Sequence, residues 1–171
     1  MVPSQALTEA FIRTDIAFAD ELKSCRESKA VIQKDWHPGC TAVTTLVVRN
    51  KLFVANAGDC RTIICRSGNP YALSRVTRSI GDDDLKPFVT AEPEITEILL
   101  SVEDEYIVMA SDGLWDVVSN ADVVNIIRDT VKEAGMCSKR LATVAVERGS
   151  KDNITVIVVF LRPVSTGERI Y

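Results

Sequence analysis

Two apolar segments of this sequence are each joined to a short acidic loop, and this arrangement constrains the fold more than any other feature. Residues 106–110 are largely apolar and run into Asp112 and Gly113, whereas Asp152 lies just before the apolar residues 154–161. Apolar runs of about four to eight residues, bounded by turn signals, are typical of buried strands. If the two strands are antiparallel neighbours, Asp112 and Asp152 lie at the same end of one sheet and can face a shared cation.

These two aspartates fit either a metal site or a pair of structural turns. Hard divalent cations prefer oxygen ligands, and Mg²⁺ commonly uses one or two carboxylates. Asp beside Gly or Asn is also common in turns, where its side chain bonds the local backbone. The residues that follow the two aspartates are Gly113 and Asn153, so both roles stay open on these residues alone.

The composition is that of a globular domain and excludes several classes of function. The chain has 171 residues, and its 20 basic and 24 acidic side chains are interspersed, which argues against binding the nucleic-acid backbone. No apolar run reaches the roughly 18 residues of a membrane span, and the N-terminus lacks a signal-peptide layout. Five cysteines without C-x-x-C spacing indicate reduced thiols. We therefore expect an intracellular protein, cytoplasmic or nuclear, that binds neither nucleic acid nor membrane.

Periodicity and turn residues predict an α+β layered sandwich. The first three strands are expected to form an antiparallel meander and the next two a hairpin, with a domain over 1–162 and a C-terminal tail over 163–171. The predicted elements are, in chain order, a helix over 4–23, strands over 41–48, 52–55, 62–66, 95–100 and 106–110, helices over 119–135 and 138–148, and a strand over 154–161.

Six short segments resemble the motifs of one enzyme family and occur in that family's order. They are G-C-T-A at 39–42, V-A-N-A-G-D-C-R at 54–61, T-R-S-I-G-D at 77–82, A-E-P-E at 91–94, S-D-G-L-W-D at 111–116 and K-D-N-I-T at 151–155. The family is that of the metal-dependent PPM-type protein serine/threonine phosphatases (protein phosphatase type 2C). Residues 89–171 are also similar to plant proteins in which a kinase-like domain precedes a type 2C phosphatase-like domain.

The resemblance implies a fold, an activity and a cofactor. The fold is a four-layer α-β-β-α sandwich, and the activity is hydrolysis of phosphoserine and phosphothreonine in phosphoprotein substrates. The cofactor is Mg²⁺ or Mn²⁺, and the resemblance matches Asp112 and Asp152 to metal-ligating aspartates of a two-metal site. No further catalytic residue is predicted.

Six further residues are expected to support the metal site. Trp115 is expected to be a core anchor under the Asp112 loop, Asp59 and Arg61 a structural ion pair or turn lock, and Arg78 a residue behind the acidic site. The full supporting set is Asp59, Arg61, Arg78, Gly113, Trp115 and Asn153.

Two parts of the family pattern are absent from the sequence. The D-G-H-G-G motif, which carries the family's bridging aspartate and a histidine, does not occur, and His37 is expected to be an ordinary loop residue. Leu73 and Ser74 run directly into Arg75, where the family has a D-H-K-P-like segment and a flap. The acidic run 82–84 is expected to be a solvated loop. The resemblance thus predicts an incomplete sandwich, without its first strands and flap, an internal excision near 74–75, and impaired catalysis.

Three functions stay open on this basis. The first is a PPM-type phosphatase domain with impaired metal binding. The second is a non-catalytic pseudophosphatase that binds a protein partner. The third is a fragment of a longer kinase–phosphatase protein. All three share the predicted α+β fold and differ in what Asp112 and Asp152 can do.

Overall fold

The structure, a computed structural model, describes residues 2–27, 37–74 and 78–162, and it is a mixture of helices and antiparallel strands. The α+β prediction is therefore confirmed. Its helices and strands are, in chain order, α1 (Pro3–Glu27), β1 (Gly39–Cys40), β2 (Ala42–Val48), β3 (Lys51–Ala57), β4 (Arg61–Arg66), β5 (Asn69–Ala72), β6 (Ile80–Gly81), β7 (Glu94–Leu99), β8 (Asp104–Ala110), α2 (Asp112–Trp115), α3 (Asn120–Thr130), α4 (Cys137–Glu147) and β9 (Val156–Phe160).

The chain divides into two compact units that alternate along the sequence. The first unit comprises Met1–Cys60 and Ser74–Leu99, and the second comprises Arg61–Leu73 and Leu100–Tyr171. Each unit pairs a helical layer with a sheet layer, which is the layer type that the sequence predicts.

In the first unit, α1 covers a three-stranded antiparallel sheet with the order β2-β3-β7. The helix extends beyond the predicted 4–23 at both ends, and Phe11 is one of its two buried side chains. Phe11 packs with Ala55 and Ala57 of the central strand β3 and with Ile80 and Ala91. A separate pair of short strands, β1 and β6, joins Gly39 to Gly81 by antiparallel pairing.

In the second unit, α3 and α4 cover a four-stranded antiparallel sheet with the order β5-β4-β8-β9. One apolar cluster fills this layer, and its fully buried side chains include Ile63, Val108, Leu114, Ile127 and Leu141. The predicted start of α3 is confirmed, because the Ser119 hydroxyl accepts a hydrogen bond from the backbone N–H of Asp122 at 3.1 Å. Such N-terminal caps satisfy a helix donor that otherwise lacks a partner.

Two predicted strand pairings are wrong. The strands β2, β3 and β4 do not form one meander, because β4 pairs with β5 and β8 in the other sheet. The hairpin of residues 95–100 with 106–110 does not form either, since β7 pairs with β3. Gly58 directly follows β3 with a φ of +119°, and a Cβ there would overlap the side chain of Thr41. Alternating polarity identifies strands but does not identify their partners.

Three smaller points concern strand β5, membrane spans and the predicted tail and excision point. Strand β5, for which no strand was predicted, pairs with β4 from Asn69 to Ala72. None of the helices in the described ranges has the length and apolarity needed to cross a membrane. The predicted tail, 163–171, lies outside the described residues, and so does residue 75 of the predicted excision point near 74–75.

Candidate metal site

The predicted pairing of the two aspartate-bearing strands is confirmed. Strands β8 and β9 are antiparallel, and their register pairs Ala110 with Val156. The backbone N–H of Ser111 continues the ladder by donating to the carbonyl of Thr155 at 3.1 Å. The loops that follow β8 and precede β9 therefore leave the sheet at the same end.

Each aspartate makes a turn contact with the residue that follows it. Asp112 is half-buried at the start of α2, and its Oδ1 accepts from the N–H of Gly113 at 2.8 Å. Asp152 is exposed, and its Oδ1 accepts from the N–H of Asn153 at 2.6 Å. Both are the backbone contacts expected if the two aspartates only stabilise turns. They also orient each carboxylate relative to its loop.

Three hydrogen bonds of serine side chains join one loop to the other. The Ser111 hydroxyl donates to the carbonyl of Asn153 at 3.2 Å and accepts from the N–H of Thr155 at 3.1 Å. The Ser150 hydroxyl donates to the carbonyl of Gly113 at 2.7 Å. Sequence analysis missed both serines, although each lies inside or beside a quoted motif.

The loops also touch directly at Gly113. A Cβ at this position would lie about 2.4 Å from the carbonyl oxygen of Asn153, a distance that side chains do not tolerate. Gly113 is therefore required by the close approach of the two loops. Both Gly113 and Asn153, predicted as supporting residues, lie at this contact.

Trp115 is buried beneath the first loop, as predicted, with 7% of its surface exposed. Its Nε1–H donates to the carbonyl of Ala110 at 2.9 Å, which ties α2 to the end of β8. The guanidinium of Arg61 lies over the indole ring, 5.3 Å from its centroid, and donates to Oδ1 of Asn120 at 3.1 Å. Arg61 thus stabilises the packing around Trp115.

The ion pair expected between Asp59 and Arg61, one of the two roles predicted for them, does not occur among the described residues. Asp59 is exposed, and Arg61 contacts Trp115 and Asn120 instead. Nη1 of Arg78 donates to the backbone carbonyl of Glu92 at 2.6 Å, and the expected place of Arg78 behind the acidic site stays a prediction. That contact fastens the loop on which Arg78 lies, where the backbone has a φ of +120°.

A second acidic cluster lies in the first unit. Ligand atoms of His37, Asp83 and Asp84 lie within 4.8 Å of one another. Arg26 contacts Asp83 at 2.7 Å and His37 contacts it at 2.8 Å, and these two hydrogen bonds lower the pKa of Asp83 to about 2. The run 82–84 is therefore not simply a solvated loop. His37, which was expected to be an ordinary loop residue, contacts Asp83. Because a guanidinium already neutralises Asp83, we do not interpret this cluster as a cation site.

The donors around Asp112 and Asp152 fit a hard divalent cation. Both side chains offer carboxylate oxygens, and Oδ2 of Asp152 accepts no hydrogen bond within the described ranges. In the same ranges, no third His, Cys, Asp or Glu forms a ligand group with these two aspartates. An all-oxygen set of this kind suits Mg²⁺ or Mn²⁺ better than softer metals.

Comparison with known proteins agrees with this fold. The model of the protein phosphatase 2C family matches residues 2–76 and 74–154. A "Protein kinase and PP2C-like domain-containing protein" of Oryza sativa subsp. japonica is 61% identical over 204 aligned positions that cover 99% of this chain and 31% of the rice protein. A protein of the same description from Arabidopsis thaliana is 59% identical over 98% of this chain and 31% of its own length. The chain thus spans about a third of these relatives.

The solved structures give the same answer for the fold. The crystal structure of a serine-threonine phosphatase 2C from Toxoplasma gondii matches with a TM-score of 0.76 at 20% identity, over 92% of this chain and 66% of that chain. Similarity at this level of identity establishes the fold, and the family match extends over most of the sequence. The chain belongs to the protein phosphatase 2C family.

Proposed function

We propose that Asp112 and Asp152 are metal ligands of a protein serine/threonine phosphatase domain whose turnover is impaired in this chain. The observation that carries this proposal is the β8–β9 register, which brings the two aspartate loops to one end of one sheet. The family is metal-dependent, and the oxygen donors of the two aspartates favour Mg²⁺ or Mn²⁺.

The residues of the chain have separate tasks in this proposal. Asp112 and Asp152 hold the cation, and Trp115 anchors the first loop to the end of β8. When bound, a divalent cation activates water for attack on a phosphate ester and stabilises charge on the phosphate oxygens. The overall reaction is hydrolysis: the water oxygen bonds to phosphorus, the P–O bond to the serine or threonine breaks, and the hydroxyl leaves with a proton.

Metal binding is tested by calorimetric titration of Mn²⁺ into the 171-residue chain and its variants. We expect weak binding that is lost in Asp112→Asn and in Asp152→Asn, because each substitution removes one of the two carboxylates. The matched control is Asp129→Asn, which removes an exposed carboxylate from α3. Equal binding by all four proteins would contradict the proposal.

A second candidate is a domain that binds phosphoproteins or another protein partner without turnover. Two observations favour it. The family match divides into two segments that meet at 74–76, and the rice alignment has 204 positions against 171 residues, so at least 33 positions are gaps in this chain. We infer that the gap lies near 74–75, where the family has a D-H-K-P-like segment and a flap.

The two candidates are separated by an activity measurement on a phosphothreonine peptide with Mn²⁺ present. We expect the 171-residue chain to be no faster than its Asp112→Asn, Asp152→Asn double variant. The chain lacks the family's D-G-H-G-G motif and its D-H-K-P-like segment with the flap. Losing even one preorganised charge partner typically lowers the rate by about 10²–10³, and catalytic groups that act as a unit lose their effect together. Hydrolysis that depends on metal and disappears in the double variant would instead establish the catalytic candidate for this chain.

A further inference from the structure

We propose that Ser111 and Ser150 are positioning residues that hold the two aspartates at the separation needed to share a cation. The inference rests on the proposed metal role of Asp112 and Asp152, and it deepens that role by naming what sets the distance between the two ligands. Neither serine is a metal ligand in this proposal. Both act through the backbone of the two loops.

Ser111 acts from the first loop. It lies directly before Asp112, and its hydroxyl donates to the carbonyl of Asn153 at 3.2 Å, the residue directly after Asp152. The same hydroxyl accepts from the N–H of Thr155 at 3.1 Å. One side chain therefore uses its donor and an acceptor lone pair on two residues of the other loop.

Ser150 acts from the second loop in the opposite direction. It lies two residues before Asp152, and its hydroxyl donates to the carbonyl of Gly113 at 2.7 Å, the residue directly after Asp112. Its own backbone N–H donates to the carbonyl of Ala145 at 3.0 Å, so the end of α4 holds it in place. Each serine thus precedes one aspartate and bonds the carbonyl of the residue that follows the other.

This reciprocal pattern differs from the usual role of serine in a turn. Serine hydroxyls in turns bond backbone groups a few residues away in their own loop. Here the donor and acceptor residues are 42 and 37 positions apart in the sequence. The bonds therefore add nothing to the conformation of either loop alone, and they restrain one loop against the other.

The restraint matters because two carboxylates without a cation repel each other. Separation of the loops would relieve that repulsion, and a cation would then have to draw them together at a cost in affinity. Residues that orient metal ligands without touching the metal typically change metal affinity by about 10- to 100-fold when removed. We expect the lower end of that range, because each serine holds the backbone beside a ligand rather than the carboxylate itself.

The test measures Mn²⁺ affinity by calorimetry, and stability by urea unfolding in EDTA, for Ser111→Ala and Ser150→Ala. We expect the dissociation constant to rise roughly 10-fold in each, and Ser150→Thr, which keeps a hydroxyl, to stay close to the wild type. The matched control is Ser119→Ala, which removes the cap of α3 in the same unit. It should lower stability and leave the dissociation constant unchanged. Either alanine variant that folds is sufficient for the test.

The outcomes distinguish the positioning role of the two serines from the metal role of the two aspartates. If Asp112→Asn abolishes Mn²⁺ binding while both serine variants bind like the wild type, the positioning role is refuted and the metal site stands. If the serine variants weaken binding only as much as Ser119→Ala does, their effect is general destabilisation, and the positioning role is again refuted. If the wild type does not bind Mn²⁺, the metal site fails and the positioning role fails with it.

Discussion

Replacing Trp115 with alanine is the sharpest test of how the first aspartate loop is held. Deleting a buried large aromatic side chain costs about 3–5 kcal/mol, and the indole is only 7% exposed. The substitution also removes the Nε1–H hydrogen bond to Ala110, worth about 1 kcal/mol, and the contact with Arg61, worth about 0.5–1 kcal/mol. We therefore expect the free energy of unfolding to fall by about 4–5 kcal/mol, in the upper part of the range.

The assay is urea unfolding followed by circular dichroism, with Trp115→Phe as the control. Phenylalanine keeps most of the buried ring and loses the N–H donor, so this variant should lose about 1–2 kcal/mol. The order of stability should be wild type, Trp115→Phe, then Trp115→Ala. A loss below about 1 kcal/mol in Trp115→Ala would show that the ring is not a core anchor, since that is smaller than the burial of one large apolar side chain.

Two further predictions concern the same unit. Gly113→Ala should lower the free energy of unfolding by about 1–3 kcal/mol and weaken Mn²⁺ binding, because the added Cβ would overlap the carbonyl of Asn153. Unchanged urea unfolding and an unchanged Mn²⁺ titration would contradict the close approach of the two loops. Asp104→Asn should lower stability at neutral pH by about 2 kcal/mol, since hydrogen bonds to charged groups are worth roughly 1.5–3 kcal/mol. Burial raises the pKa of Asp104, but hydrogen bonds from Arg66 and Ser101 outweigh it and leave that pKa below its usual value. The stabilisation is thus present above about pH 4 and is lost as pH falls through the lowered pKa of Asp104. The unfolding curves of the wild type and the variant should therefore converge in acid. A difference in the free energy of unfolding that stays constant down to about pH 2 would contradict this linkage.

The strands and helices of this chain could be predicted from local pattern, and so could the pairing of β8 with β9, whereas the partners of β4 and β7 could not. The apolar stripe of α1 and the apolar run of β9 identify those elements without any tertiary information. Strand β7 pairs instead with β3, so that Ile95 lies opposite Ala55, which is distant in sequence. Local alternation of polarity carries no signal for such a long-range partner. A hairpin between sequence neighbours was therefore expected where the chain forms a long-range pair.

The sequence predicts the two proposed ligands of the candidate site and the burial of Trp115, but not the contacts around them. The ligand role of Asp112 and Asp152 comes from their position beside apolar strands together with the family resemblance. The contacts of Arg61 with Trp115 and Asn120 join residues that are distant in sequence. The serine hydrogen bonds have the same property, and serine in a loop carries no signal of its partner. Their roles become visible only when β8 and β9 are paired.

The alternation of the two units along the sequence sets the order in which the protein can fold as it is synthesised. The first unit has all its residues once Leu99 has been made, whereas the second needs Val156–Phe160 to complete its sheet. Translation adds on the order of 5–20 residues per second, so β4 waits several seconds for β8 and β9. During that time Ile63 and Ile64, which are 0% and 1% exposed in the folded chain, face water or a chaperone. Hydrophobic surface that stays exposed during synthesis makes an incomplete chain prone to aggregation.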